Sequence, residues 1–205
     1  RVEYTVPDNI EPLISVVTDK EATGYSAQIM FKQPKSNSIT YNDYRNTLMR
    51  NLYTGMLNNR LQEIAQKPDA PYIYAGSQYG SFLVGRSRDA YSLFVGAKEN
   101  LIEKSIETLM LENERARQFG FTSSELEREK KDIYTMYENG AKEADKTLSG
   151  SYADEFIRNY LTRESIPGYQ KEFDLVREFL PGITLEEINT LGRKWTSEMN
   201  MVALI

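Results

Sequence analysis

The side chains able to do chemistry in this chain are carboxylates and hydroxyls, because its 205 residues include neither His nor Cys. Without His the commonest general base and the commonest zinc ligand are both missing. Without Cys there is no thiolate nucleophile and no disulfide. The carboxylates cluster as Glu112 with Glu114, and as Glu125, Glu127 and Glu129. On a helix, residues two apart point to different sides, so successive members of these clusters do not converge as a paired acid and base. They also lack the loop spacing that wraps Ca²⁺ or Mg²⁺. Gly76-Ser77, in "YAGSQYG", has no His to activate the hydroxyl and reads as part of a glycine-bearing strand. No phosphate-cradling loop, dinucleotide fingerprint or nucleophile elbow is present. The expectation is a chain with no catalytic residue and no metal ligand of its own.

The elements that hold these residues are legible. A net charge of −5, with no dense run of Lys and Arg, argues against a nucleic-acid partner. No apolar run approaches the roughly 20 residues of a membrane helix, which argues against membrane insertion by these residues. Residues 12–19 and 24–32 read as two strands, apolar and rich in β-branched residues. Thr40 opens a long helix with Asp43 at N3, and Tyr44, Leu48, Leu52, Met56, Leu57, Leu61 and Ile64 give it an apolar stripe. Two further strands follow in "APYIYAGSQYGSFLVG" and "AYSLFVGAK", then five helices and a last strand near Met199.

One junction is written out with particular clarity. In "NERARQFGFTSSELEREK", Gly120 falls where a helix ends in a left-handed residue. Thr122 with Glu125 forms a capping box for the next helix, and Phe121 and Leu126 sit at the positions of a hydrophobic staple. Thr184 and Glu187 repeat the box. The order β-β-α-β-β-α-α-α-α-α-β, with strands in adjacent pairs, predicts a single α+β domain over residues 1–205, an antiparallel sheet layered with helices. The chain starts at Arg1 and stops inside the apolar run "NMVALI", so the expectation is a segment of a longer protein. The one feature suited to binding is the strand "YAGSQYGS", whose small residues would let an extended peptide pair with its backbone. The competing reading is a strand whose glycines relieve packing or form a bulge.

Four segments, "YTVPDNIEPLISVVTDKEAT", "LNNRLQEIAQKPDAPYIYAG", "ENERARQFGFTSSELEREK" and "SIPGYQKEFDLVREFLPGITLEEIN", run nearly the length of the chain. Together they resemble the second domain of the insulinase-like, or pitrilysin (M16), zinc metallopeptidases, closest to the long bacterial members. The resemblance implies a non-catalytic domain that forms the wall of a peptide-enclosing chamber. It places zinc, and the His-x-x-Glu-His motif that holds it, elsewhere in the parent protein, where a glutamate would act as base on a zinc-bound water. It implies peptide and the other domains of the same chain as partners, and a bacterial periplasm or envelope as the setting. By position it assigns peptide anchoring to Ile73, Tyr74, Ala75, Gly76 and Ser77. The same resemblance leaves open a scaffold role in a relative that has lost its zinc motif. An unrelated helical adaptor is the third reading, and it would need the strand pairs to be incidental.

After dialysis against metal-free buffer, the purified chain is expected to retain no stoichiometric zinc by mass spectrometric metal analysis. A stoichiometric amount would overturn the reading of its carboxylates as scattered.

Overall fold

A computed structural model describes residues 4–205. The elements are β1 (Leu13–Ser15), β2 (Tyr25–Pro34), α1 (Tyr41–Ala65), β3 (Tyr72–Ser81), β4 (Arg88–Ala97), α2 (Ile102–Phe119), α3 (Ser123–Lys142), α4 (Ser149–Thr162), α5 (Tyr169–Phe179), α6 (Leu185–Trp195) and β5 (Met201–Leu204). Their order is the one the sequence predicts. The chain divides into two compact units. The first takes the N-terminal segment through Lys35, Tyr53–Phe121 and Asn189–Ile205; the second takes Ser36–Leu52 and Thr122–Ile188.

The first unit contains a five-stranded sheet in the order β1-β5-β2-β4-β3. β2 and β4 run antiparallel from Tyr25↔Ala97 to Pro34↔Arg88, and β3 pairs antiparallel with the far side of β4. The expected pairing of neighbours therefore holds for β3 and β4. It fails for β1 and β2, which β5 separates: β5 runs antiparallel to β2 and parallel to β1. The reason is local weakness. β1 is 3 residues long and exposed throughout, so it contributes little burial of its own, and it takes its register from Val202, Ala203 and Leu204. Alternation marks a strand but says nothing of which strand lies beside it.

One face of the sheet buries Ala27, Ile29, Phe31, Tyr91, Leu93 and Val95, and α1 and α2 contribute Met56, Leu57, Leu61, Leu109 and Ala116 to the buried set. The centre is aromatic. Trp195 lies 5.0 Å from Tyr53, 4.8 Å from Tyr79 and 5.2 Å from Tyr91, ring centre to ring centre. Tyr53 meets Tyr91 and Phe121 edge-on at 6.0 and 5.1 Å. Such offset and edge-to-face arrangements each add about 0.5–1.5 kcal/mol beyond the area they bury. Two of the phenol oxygens drawn inside have specific partners: Tyr91 Oη donates to Asn113 Oδ1 at 2.7 Å, and Tyr72 Oη to the Leu61 carbonyl at 2.9 Å.

The end of α2 is fixed by two side chains of the same unit. Gly120 has φ +73°, as expected, but ψ −164°, so the chain leaves the helix extended rather than curling into a left-handed turn. That backbone region is open essentially to glycine alone. Arg60 donates to the Gly120 carbonyl at 3.0 Å, covers the Phe121 ring at 4.6 Å, and reaches Glu112 at 3.4 Å. Asn189 Oδ1 accepts the Phe121 N–H at 2.8 Å.

The second unit is helical. All three expected helix starts are built: Thr40 with Asp43, Thr122 with Glu125, and Thr184 with Glu187 exchange backbone-to-side-chain bonds in both directions. Each box satisfies two otherwise unpaired donors of a first turn. α3 packs on α5 through Tyr134 and Phe173, 5.3 Å apart and edge-on, with Leu126, Ile133, Leu175 and Val176 buried. Glu187, besides capping α6, pairs with Arg45 at 2.9 Å. Helix α4 buries none of its residues and leaves Phe156, Ile157 and Tyr160 exposed.

Arg60→Ala should cost about 2–4 kcal/mol, since it leaves the buried Glu112 to the exposed Arg115 at 3.6 Å and uncovers the end of α2. Urea denaturation measures this, and Arg60→Lys should recover less than half, because a point charge cannot reach carboxylate, carbonyl and ring together.

Candidate functional site

Four of the five carboxylates the sequence offers, Glu112, Glu114, Glu125 and Glu127, have identifiable partners within the fold. Glu112 is paired with Arg60 and, at 3.6 Å, with Arg115. Glu114 accepts two bonds from Arg117, at 2.6 and 2.5 Å, and these hold its carboxyl below the usual carboxylate range. Glu125 is the return arm of a capping box. Glu127 reaches Lys130, one turn on, at 3.8 Å. Among the described residues no three His, Cys, Asp or Glu side chains gather closely enough to hold a metal ion.

The five positions expected to anchor peptide all fall on β3, which lies at the edge of the sheet and, among the described residues, has β4 as its only strand neighbour. The pairing shifts by a bulge between Tyr72 and Tyr74. A bulge at a sheet edge twists the strand and breaks the regular ladder. Ile73, at the bulge, and Tyr74 are 68% and 55% exposed, whereas Ser77 is 3% exposed. Gly76 is buried and Ala75 is intermediate. The strand thus offers side chains at one end and closes at the other.

Gly76 is explained by packing. A Cβ there would stand 2.5 Å from the Phe94 ring, and across the ladder a Cβ on Gly96 would stand 2.3 Å from the ring of Tyr74. Each aromatic side chain lies over the glycine of the opposite strand, a pairing that shields glycine in a sheet. The two rings, with Ser15, Val17, Gln28 and Leu204, line a groove of about 390 Å³. Further along the strands, residues 6–9 hold the chain against the sheet. Asn9 is bonded to Asn200 and Met201 at 3.0 Å each, Arg88 pairs with Asp8 at 2.6 Å, and Lys32 donates to the Pro7 carbonyl. Burial lowers the Lys32 ammonium from its ordinary pKa, while the Asp8 charge opposes that shift.

One residue at this edge is missing from the sequence-based set. Asn58, on α1, accepts the Ser77 N–H on Oδ1 at 2.6 Å and donates from Nδ2 to the Ser77 carbonyl at 3.1 Å. Since Ser77 lies opposite Leu93 in the ladder and spends both backbone groups on Asn58, those groups point away from β4. Alternation in an antiparallel pair then turns the N–H and C=O of Ala75 outward as well. The signal was faint: asparagine is a poor helix former, so its place inside a long helix asks for a reason.

No protein-family model matches the chain. A curated relative, a "Zinc protease PQQL-like" of Arabidopsis thaliana, is 26% identical over 191 residues, which is 93% of this chain and 17% of the relative. The first half of the periplasmic protease PqqL from Escherichia coli superposes with a TM-score of 0.87 at 13% identity, covering 100% of this chain and 44% of that one. A predicted insulinase family protease from Yersinia pestis gives 0.80 at 13% identity, covering 100% and 45%. The chain thus spans less than half the length of each of these relatives. Zinc belongs to the description of the plant relative, and the described residues of this chain do not fit that ion: their acidic donors are carboxylates, and these do not gather.

Gly76→Ala should destabilise the chain by about 1–3 kcal/mol through overpacking against Phe94. Adding Phe94→Ala should remove most of the penalty that the extra methyl causes. A thermal-unfolding double-mutant cycle checks both, and an additive result would contradict the ring-over-glycine account.

Proposed function

We propose that this chain, whose fold is that of the insulinase-like peptidase domains, is a non-catalytic, peptide-binding domain of a longer zinc peptidase. Bond cleavage in that protein would fall to residues outside these 205. The chain's own task would be to hold an extended stretch of substrate against the wall of the chamber. The observation that carries this reading is the position of β3: an edge strand whose alternation turns the backbone groups of Ala75 outward. An exposed edge is a template for main-chain pairing, and alternate side chains of the added strand then read neighbouring surface. Ile73 and Tyr74 supply exposed apolar surface beside it, and the groove under Tyr74 and Phe94 begins at the same place. The partial coverage of the relatives supports a second set of partners, the remaining domains of the same longer protein.

The reading makes the Ala75 N–H a required donor. Proline at position 75 removes that donor without taking a bond from β4, a substitution sheets tolerate at edges. A fluorescein-labelled ten-residue peptide of alternating Val and Thr, with Lys at both ends, should bind the chain in an anisotropy titration and remain intact. Ala75→Pro should weaken binding by at least about tenfold, a loss near 1.4 kcal/mol, with the circular dichroism spectrum unchanged. Equal binding by the two proteins would remove β3 as the site.

A further inference from the structure

Only part of the β3 edge is open. The Asn58 carboxamide lies against Ser77 as a neighbouring strand would, taking its N–H at 2.6 Å and supplying its carbonyl at 3.1 Å. The Ser77 hydroxyl adds a third bond to Asn58 Oδ1 at 3.0 Å, and a contact from the same hydroxyl to the Thr54 carbonyl at 3.4 Å ties this point of β3 to α1. Proteins blunt exposed strand edges by covering them, and here the cover is a single side chain. It sits at the far end of the five positions the sequence assigns to anchoring, two residues beyond Ala75.

We propose that Asn58 is a register stop: it lets an added strand pair with the edge through Ala75 and ends the pairing before Ser77. The proposal rests on the reading of β3 as a peptide-binding edge and specifies that edge. A bound peptide is held over a short span, beside Ile73, Tyr74 and the groove, and its backbone leaves the sheet where the carboxamide begins. The ligand class follows from this geometry. It is an extended peptide that needs main-chain donors and acceptors only opposite Ala75, and it tolerates a residue without an N–H, such as proline, opposite Ser77. A purely structural role predicts something different. Ser77 is almost fully buried, so Asn58 would then serve only to satisfy its backbone groups, and removing it would destabilise the chain without lengthening the bound segment.

Amide hydrogen exchange with the same alternating peptide separates the two. In the wild type the Ser77 amide should be protected without peptide, and adding peptide should slow exchange at Ala75 while leaving Ser77 unchanged. In Asn58→Ala the Ser77 amide should lose protection in the free protein and regain it with peptide, and affinity should rise about three- to tenfold from the added bonds. Asn58→Asp keeps an acceptor for the Ser77 N–H and should keep the wild-type footprint. Asn58→Ser is too short to reach both backbone groups and should behave as Asn58→Ala, which covers the case in which the alanine variant does not fold. Slow Ser77 exchange in both Asn58→Ala and Asn58→Ser, or a footprint that still ends at Ala75 in them, overturns the stop while leaving the edge reading in place. Absence of peptide protection at Ala75 in every variant overturns the edge reading, and the stop with it.

Discussion

The hydrogen bonds that Met201–Leu204 make on both sides decide the layout of the sheet. β5 fills one side of β2 and β4 the other, and among the described residues β3 has β4 as its single strand neighbour. Had β1 paired directly with β2, as their adjacency in the chain suggests, β5 would have needed another place and the β1 edge would differ. The edge at β3 follows from β4, whose two sides are taken by β2 and β3. The pairing is also strongly non-local, since Asn9 and Asn200, bonded beside it, are 191 positions apart.

Helix α1 links this layout to the proposed site. Asn58 and Arg60 lie two residues apart and work in different directions. Asn58 holds β3 at Ser77, and Arg60 gathers Glu112, the Gly120 carbonyl and the Phe121 ring. Residues two apart on a helix do not share a face, so one turn of α1 fastens both the sheet edge and the end of α2. Polar groups with so many fixed partners specify position more than they add stability. That suits a surface whose backbone groups must be presented in a fixed register.

Local rules wrote much of this fold into the sequence. The three Thr-headed capping boxes, the positive φ of Gly120 and the order of all eleven elements follow from nearest-neighbour chemistry, and each can be read without knowing what lies across the fold. The placement of β5 between β1 and β2 has no local signature, because it depends on segments far apart in the chain. The assigned site shows the same division. Ile73 to Ser77 read correctly as one strand, but the reason for Gly76 is a ring on β4, and the closure of the edge at Ser77 is the work of Asn58. Both are contacts across the fold: the reading that glycine relieves packing in this strand names the effect at Gly76 but not the ring that causes it, and the residues around β3 carry no sign of Asn58.

The aromatic centre also gives the molecule an optical property. The chain has a single tryptophan, Trp195, and three tyrosine rings stand within 5.2 Å of it, centre to centre. At such separations, light absorbed by those tyrosines passes to the indole before it can be emitted. The tryptophan emission excited through tyrosine therefore reports on how Tyr53, Tyr79 and Tyr91 are packed around Trp195. Loosening of that centre separates the rings, so the tyrosine band rises as the transfer to the indole is lost.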